Sequence, residues 1–279
     1  MKYDFGMIGL GTMGMNLILN VVDNGFTAMG MDLSEESAQS LINEVNDTSK
    51  VNATTEASKF VESLKTPRKI MILVPAGKPV DIVINNLLPL VDEGDLLIDG
   101  GNSFYKDTDR REKMLSENGI NYLGVGVSGG AEGARVGPSI MPGGSAEAYQ
   151  FIKPIFEAIA ADASDGEPCV AYLGPKSAGN YVKMVHNGIE YGMMQLTGEI
   201  YDVLRKSCNF SNDELHEIFD KWNKGRLRSY LVEITAKIFQ QKDEEVDGYI
   251  IDVILDKAKQ KGTGKWTSQN AMDIGIPVP

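Results

Sequence analysis

Cysteine and histidine each occur only twice in this sequence of 279 residues, and that scarcity closes off several kinds of chemistry. Cys169 and Cys208 lie far apart, in no metal-binding or redox spacing. A disulfide framework and a Cys/His zinc site are therefore excluded, no metal is expected, and the two cysteines read as buried free thiols. Basic residues are also in deficit, 27 Lys and Arg against 39 Asp and Glu, for a net charge of −12. Neutralising phosphates needs a basic stripe, and none is visible, so no nucleic-acid partner is expected. No apolar window approaches the length of a membrane helix, and Met1-Lys2-Tyr3-Asp4-Phe5 does not begin a signal peptide. The expectation is a cytoplasmic protein with no membrane partner. With 42% hydrophobic and 24% charged residues spread along the chain, it reads as globular, and its length suggests two domains.

Over the first part of the chain, apolar runs of strand length alternate with amphipathic stretches of helix length, the pattern of a parallel sheet with covering helices. Strands are expected at residues 5–9, 27–31, 69–74, 95–99, 122–127 and 170–173, and helices at 78–90, 107–118 and 146–160. After Gly174-Pro175 only helical periodicity remains, over 177–208, 212–223, 229–241 and around 250–258. Ser211 and Glu214 have the spacing of a capping box. The boundary falls near Lys176.

The segment Gly9-Leu10-Gly11-Thr12-Met13-Gly14 follows an apolar strand and opens a helix, the context in which such a glycine turn binds a dinucleotide. Gly9 lets the chain turn, Gly11 admits a pyrophosphate against bare backbone, and Gly14 lets the helix approach the strand. Asp32 closes the second strand, where a carboxylate accepts hydrogen bonds from the adenosine ribose. This favours NAD, because a 2′-phosphate would be repelled and neither Leu33 nor Ser34 can receive it. Asp32 as a cap of the following helix is equally compatible with the sequence.

Lys183, His186, Asn187 and Glu190 recur at i, i+3, i+4 and i+7, so they share one arc of a helix from which Val182, Met184, Val185 and Ile189 are excluded. A solvated face is the ordinary reading of such a stripe. The mixture of amine, imidazole, amide and carboxylate points instead to acid and base chemistry. An amine in an apolar cleft gives up its proton readily and serves as a base, and a partly desolvated glutamate serves as an acid. His216, the other histidine, reads as a surface residue.

Lys183-Met184-Val185-His186-Asn187-Gly188-Ile189-Glu190-Tyr191-Gly192 resembles the signature helix of the decarboxylating 6-phosphogluconate dehydrogenases of the pentose phosphate pathway. Leu97-Ile98-Asp99-Gly100-Gly101-Asn102-Ser103, Gly126-Val127-Ser128-Gly129-Gly130, Gly137-Pro138-Ser139-Ile140-Met141-Pro142-Gly143-Gly144 and Gln260-Lys261-Gly262-Thr263-Gly264-Lys265-Trp266-Thr267 resemble the same family, collinearly. The resemblance implies an α/β then all-α chain: a Rossmann-type dinucleotide-binding domain over 1–176, then an incomplete helical domain over 177–279. It implies oxidation of 6-phosphogluconate at C3 by NAD or NADP, loss of carbon dioxide, and protonation at C1 to give ribulose 5-phosphate. Lys183 then matches the base and Glu190 the acid. Asn102, Ser128, Gly129, Gly130, His186 and Asn187 match positions that hold the sugar hydroxyls and carboxylate; Tyr191, Lys261 and Thr263 match positions around the phosphate. Val74 and Asn102 join Gly9, Leu10, Gly11, Thr12, Met13, Gly14 and Asp32 as expected cofactor contacts. Full-length members are expected to be homodimers.

The sequence also departs from the family. Asp32-Leu33-Ser34 replaces an Asn-Arg-Thr pattern suited to NADP, Asn180 stands where a histidine is common, and Met193 where an aspartate is common. The resemblance stops partway into the helical domain, before an arginine that binds the substrate phosphate and before a tail that enters the partner's site. Apolar helix faces are expected to be exposed in consequence. A related β-hydroxyacid dehydrogenase of the 3-hydroxyisobutyrate type, and an inactive dinucleotide-binding remnant, are the alternatives.

Overall fold

The computed structural model describes every residue except Met1, Asn46, Thr48, Ser164, Lys259, Gln260, Lys261 and Pro279. Short runs of apolar residues supply the strands of the first unit, and helices follow them in alternation. In chain order these are β1 (Phe5–Ile8), α1 (Thr12–Asp23), β2 (Ala28–Met31), α2 (Glu35–Asn43), β3 (Val51–Thr54), α3 (Ala57–Glu62) and β4 (Lys69–Ile72). Next come α4 (Lys78–Leu87), β5 (Leu96–Asp99), α5 (Tyr105–Ser116), β6 (Asn121–Ser128), α6 (Gly130–Val136), β7 (Ser139–Gly144) and α7 (Ala146–Ile159). The strands form one sheet in the order β3-β2-β1-β4-β5-β6-β7. All neighbours are parallel except β6 and β7, which pair antiparallel.

Alternation along the strands divides the core between the two faces of the sheet. Phe5, Met7, Met71, Leu96 and Ile98 pack with Leu17 and Ile18 of α1 and Ile152 and Phe156 of α7. Ile8, Ile70, Ile72 and Leu97 pack with Val80, Ile84 and Leu87 of α4 and with Leu115 of α5. Strand order reverses between β1 and β4, and an open sheet of this kind leaves a crevice at the carboxyl ends of those two strands.

The expected strand at 170–173 does not form; only an isolated bridge joins Val170 to Ile140. The reason is Pro142 in the middle of β7. Ile140 donates its amide to the Cys169 carbonyl and Gly144 donates to Gly174, but Pro142, between them, has no N–H to give. β7 itself lies in a glycine- and proline-rich stretch that carries no apolar alternation, and it completes the sheet through β6.

Two compact units divide the chain, Met1–Val185 and His186–Pro279. Helix α8 (Ala178–Lys206) begins in the first and continues into the second, which holds α9 (Asn212–Asn223), α10 (Tyr230–Ile238), α11 (Ile250–Val253) and α12 (Thr263–Ile274). The described residues of the second unit form no β-strand. Its core is Leu215, Phe219, Ala236 and Phe239, with Tyr201 stacked on Phe239. The capping box at Ser211 and Glu214 is complete in both directions. The helix expected around 250–258 is a single turn, and α12 lies beyond the helices expected from periodicity.

Two smaller expectations also change. Cys208 is exposed and Cys169 half-buried, so the free cysteines are not a buried pair. His216 is half-buried, its Nδ1 2.9 Å from the Ala236 carbonyl oxygen. Apolar Met194, Leu196 and Val203 of α8 are exposed. No helix among the described residues is long and apolar enough to cross a membrane.

Candidate functional site

At the carboxyl end of β1 the chain turns through Gly9, whose φ of +96° favours glycine. A Cβ on Gly14 would collide with the Gly9 carbonyl, so α1 lies closer to the strand than any side chain permits. Gly11, the residue before α1, makes no side-chain cap and has nothing within 4 Å of where its Cβ would be, so open space adjoins the start of the helix. Leu10 is buried, Thr12 exposed and Met13 half-buried.

The Asp32 carboxylate spans the turn and the next loop: Oδ2 accepts from the Leu10 amide at 2.7 Å and Oδ1 from the Ser34 amide at 3.0 Å. Ser34, and not Asp32, caps α2, accepting from the Ser37 amide. Beside the turn is a cavity of about 590 Å³ lined by Gly9, Gly11, Asp32, Leu33, Val74 and ten further residues of largely apolar character, together with Asn86. Among the described residues, Asp32 is the single charged residue of that lining. The side chain of Leu33 is 95% exposed at its rim.

Asn102 follows β5, exposed between buried Gly101 and Ser103. Beneath it is a cluster that periodicity could not reveal. Asp99 accepts from the Gly101 amide through Oδ1 and from the Tyr122 hydroxyl through Oδ2, at 3.1 and 3.0 Å. Fully buried Arg111 reaches Asp99 at 3.3 Å and the Ser103 hydroxyl at 3.4 Å, and donates to Asp81 at 2.8 Å. Burial pushes the Asp99 carboxyl up, against the lowering influence of Ser103 and Arg111. The Arg111 hydrogen bond holds the Asp81 carboxyl below its ordinary range. At the end of β6, Ser128 is half-buried, while Gly129 and Gly130 are exposed with φ of +129° and +61°.

The first turns of α8 lie on bare backbone. Gly124 and Gly126, two residues apart on β6, present one face of the strand, and a Cβ on the first would collide with Asn180. A Cβ on Gly126 would stand 2.5 Å from the Cβ of Lys183. The polar stripe is partly turned inward: Lys183 is 6% exposed and Asn187 8%, while apolar Ile189 is 61% exposed. That is the reverse of a solvated face.

Further along, His186 Nδ1 lies 3.0 Å from Asn187 Oδ1 and 3.9 Å from Glu190 Oε2. The Asn187 amide donates to the hydroxyl of buried Thr263 at 3.1 Å, which joins α8 to the start of α12. A Cβ on Gly264 would press within 2.5 Å of the Tyr191 ring. Asn187, Tyr191 and Thr263, 76 residues apart at the extremes, are thus neighbours. Lys261 lies outside the described residues. Among the described residues no cluster of three or more His, Cys, Asp or Glu could hold a metal ion.

Residues 4–174 match the NAD binding domain of 6-phosphogluconate dehydrogenase, and residues 179–279 match the 6-phosphogluconate dehydrogenase C-terminal domain. The NADP(+)-dependent, decarboxylating 6-phosphogluconate dehydrogenase of Bacillus subtilis is 55% identical over 278 residues, covering 100% of this chain and 59% of that protein. The decarboxylating enzyme of Escherichia coli K12 is 52% identical, over 99% of this chain and 59% of its own length. The Plasmodium falciparum 6-phosphogluconate dehydrogenase, solved apo, with its cofactor NADP+ and with its substrate 6-phosphogluconate, superposes with a TM-score of 0.93. It is 45% identical, over 99% of this chain and 59% of its own. A 3-hydroxyisobutyrate dehydrogenase of Salmonella typhimurium, 20% identical with a TM-score of 0.74 over 99% of this chain and 89% of its own, shares the fold. The chain thus spans about 59% of the length of its curated relatives, and it belongs to the 6-phosphogluconate dehydrogenase family.

Proposed function

We propose that this chain carries the cofactor turn and the acid and base groups of a decarboxylating 6-phosphogluconate dehydrogenase. The observation that carries the reading is buried Lys183 on α8, an amine held against the bare backbone of Gly126 in a chain of this family. A lysine sequestered without a solvated face is suited to exchanging a proton with substrate.

The fit to a nicotinamide dinucleotide rests on the Gly9 turn, the open face at Gly11 and the neighbouring cavity. Gly9, Leu10, Gly11, Thr12, Met13 and Gly14 would hold the pyrophosphate region, with the α1 amides facing the anion; Asp32, Val74 and Asn102 complete the site. The dinucleotide, when bound, supplies the hydride acceptor. The finer proposal is that NAD is preferred. Each Asp32 oxygen already accepts one amide and keeps a lone pair for a ribose hydroxyl, and among the described residues no cation lines the cavity to receive a 2′-phosphate. The Bacillus subtilis relative is named as NADP(+)-dependent, so this preference separates two members of one family.

In this account Lys183 takes the proton from the C3 hydroxyl as C3 is oxidised to a ketone. The resulting ammonium hydrogen-bonds the ketone oxygen and stabilises the enolate that forms as carbon dioxide leaves. Glu190, two helical turns further along α8, protonates C1. Asn102, Ser128, Gly129, Gly130, His186 and Asn187 orient the sugar hydroxyls and carboxylate. Tyr191, Lys261 and Thr263 receive the phosphate, for which the amides opening α12 are suited. The homodimer of full-length members is proposed for the complete assembly. Cofactor reduction with 6-phosphogluconate, coupled to carbon dioxide release, tests the reading; reduction without carbon dioxide release would assign the chain to another β-hydroxyacid chemistry.

A further inference from the structure

Asn102 is the exposed residue of a loop whose other members are fastened from below. The amide of Gly101 is held by Asp99 Oδ1, and the Ser103 hydroxyl by Arg111. The Gly101 carbonyl accepts from Nδ2 of Asn180 at 3.3 Å. Asn180 is 2% exposed, and its own Oδ1 accepts from the hydroxyl of Thr108 at 2.9 Å. The Gly101 carbonyl can only accept, so the amide nitrogen must face it; that turns Oδ1 toward Thr108, whose hydroxyl donates and holds the amide in place. Bare Gly124 makes room for the Asn180 side chain, as Gly126 does for Lys183 one turn later on the same helix.

We propose that Asn180, held in place by Thr108, is a positioning residue that fixes Asn102 relative to Lys183. The inference rests on the proposed function, which makes Asn102 and Lys183 partners on one substrate. A single side chain on α8 then ties the loop after β5 to the helix that carries the base, so both groups share one frame of reference. A displacement of about 1 Å at a reacting site is enough to cost on the order of 100-fold in rate. One lost hydrogen bond to Asn180 is expected to cost about tenfold.

The test is a double-mutant cycle between Asn180→Ala and Asn102→Ala, read as kcat and KM for 6-phosphogluconate, with dinucleotide affinity and thermal stability measured in parallel. If Asn180 acts through Asn102, each single change lowers kcat/KM by about tenfold or more, and the double variant is little worse than Asn102→Ala alone. Thr108→Val, which keeps the shape and removes the donor, reproduces part of the Asn180→Ala loss. Fully additive effects, or equal losses of stability and activity with no change in the ratio of kcat to KM, would overturn the proposal. Crystal structures of the chain and of Asn180→Ala keep the question separate from the assigned reaction. A shift of residues 100–103 with α8 in place supports the proposal, and an unmoved loop rejects it even in a chain that does not turn over 6-phosphogluconate. Absence of turnover in the parent chain, with the loop displaced in the variant, would instead strike at the assigned reaction.

Discussion

Lys183 of α8 and Gly126 of β6 meet with no side chain between them: a Cβ on the glycine would stand 2.5 Å from that of the lysine. The helix bearing the proposed base is therefore seated directly on the sheet. Gly126→Ala is expected to destabilise the protein by about 1–3 kcal/mol, the usual cost of overpacking a filled interior. Gly198→Ala, in the same helix with open space around it, is expected to stabilise by about 0.5–1 kcal/mol. Thermal unfolding of the two variants distinguishes them by sign.

Replacement of Lys183 by Met keeps the length and apolar character of the stem and removes the amine. Turnover of 6-phosphogluconate should vanish while dinucleotide binding, followed by quenching of protein fluorescence, is retained. Residual turnover within tenfold of the parent would show that another group serves as base.

The cofactor preference depends on Asp32. Asp32→Ala removes the acceptor for the Leu10 and Ser34 amides as well as the charge facing the cavity. Charge-assisted hydrogen bonds contribute about 1.5–3 kcal/mol each, so discrimination in favour of NAD should fall by roughly ten- to a hundredfold. The ratio of kcat/KM for the two dinucleotides measures it.

Acid should loosen the loop bearing Asn102 through Asp81. Its carboxyl is held below the ordinary value of 3.8, first by Arg111 and then by Arg110. The ionised form is therefore favoured in the folded state. Its contribution is complete above about pH 3.8 and is lost as pH falls through the lower folded value. Chemical denaturation between pH 5 and pH 2 should show stability falling more steeply in the parent than in Asp81→Asn. Equal slopes would mean that this pair does not report on folding.

The parts of the site that could be read from the sequence are those with a local signature. The glycine turn after β1, the polar stripe of α8 and the capping box of α9 each depend on spacings of a few residues. The fastening of Asn102 does not: Asn180 lies 79 residues from Gly101 and 72 from Thr108, and Arg111 acts through a carboxylate twelve residues away. No periodicity carries such pairings. β7 gives no such signal because glycine and proline mask a strand that pairs only through the sheet, and 170–173 has the apolar character of a strand while Pro142 breaks the ladder it would join. α12 escaped because its polar residues carry little apolar rhythm, although buried Thr263 and Ala271 anchor it.

The central claim is tested most directly by incubating the purified chain with 6-phosphogluconate and NAD or NADP, alone and with a polypeptide supplying the remaining length of its relatives. Reduced dinucleotide, carbon dioxide and ribulose 5-phosphate are measured together. The account predicts equal amounts of the three, faster with NAD and abolished by Lys183→Met. Absence of all three with both dinucleotides and in both preparations, while the dinucleotide still binds, would contradict it.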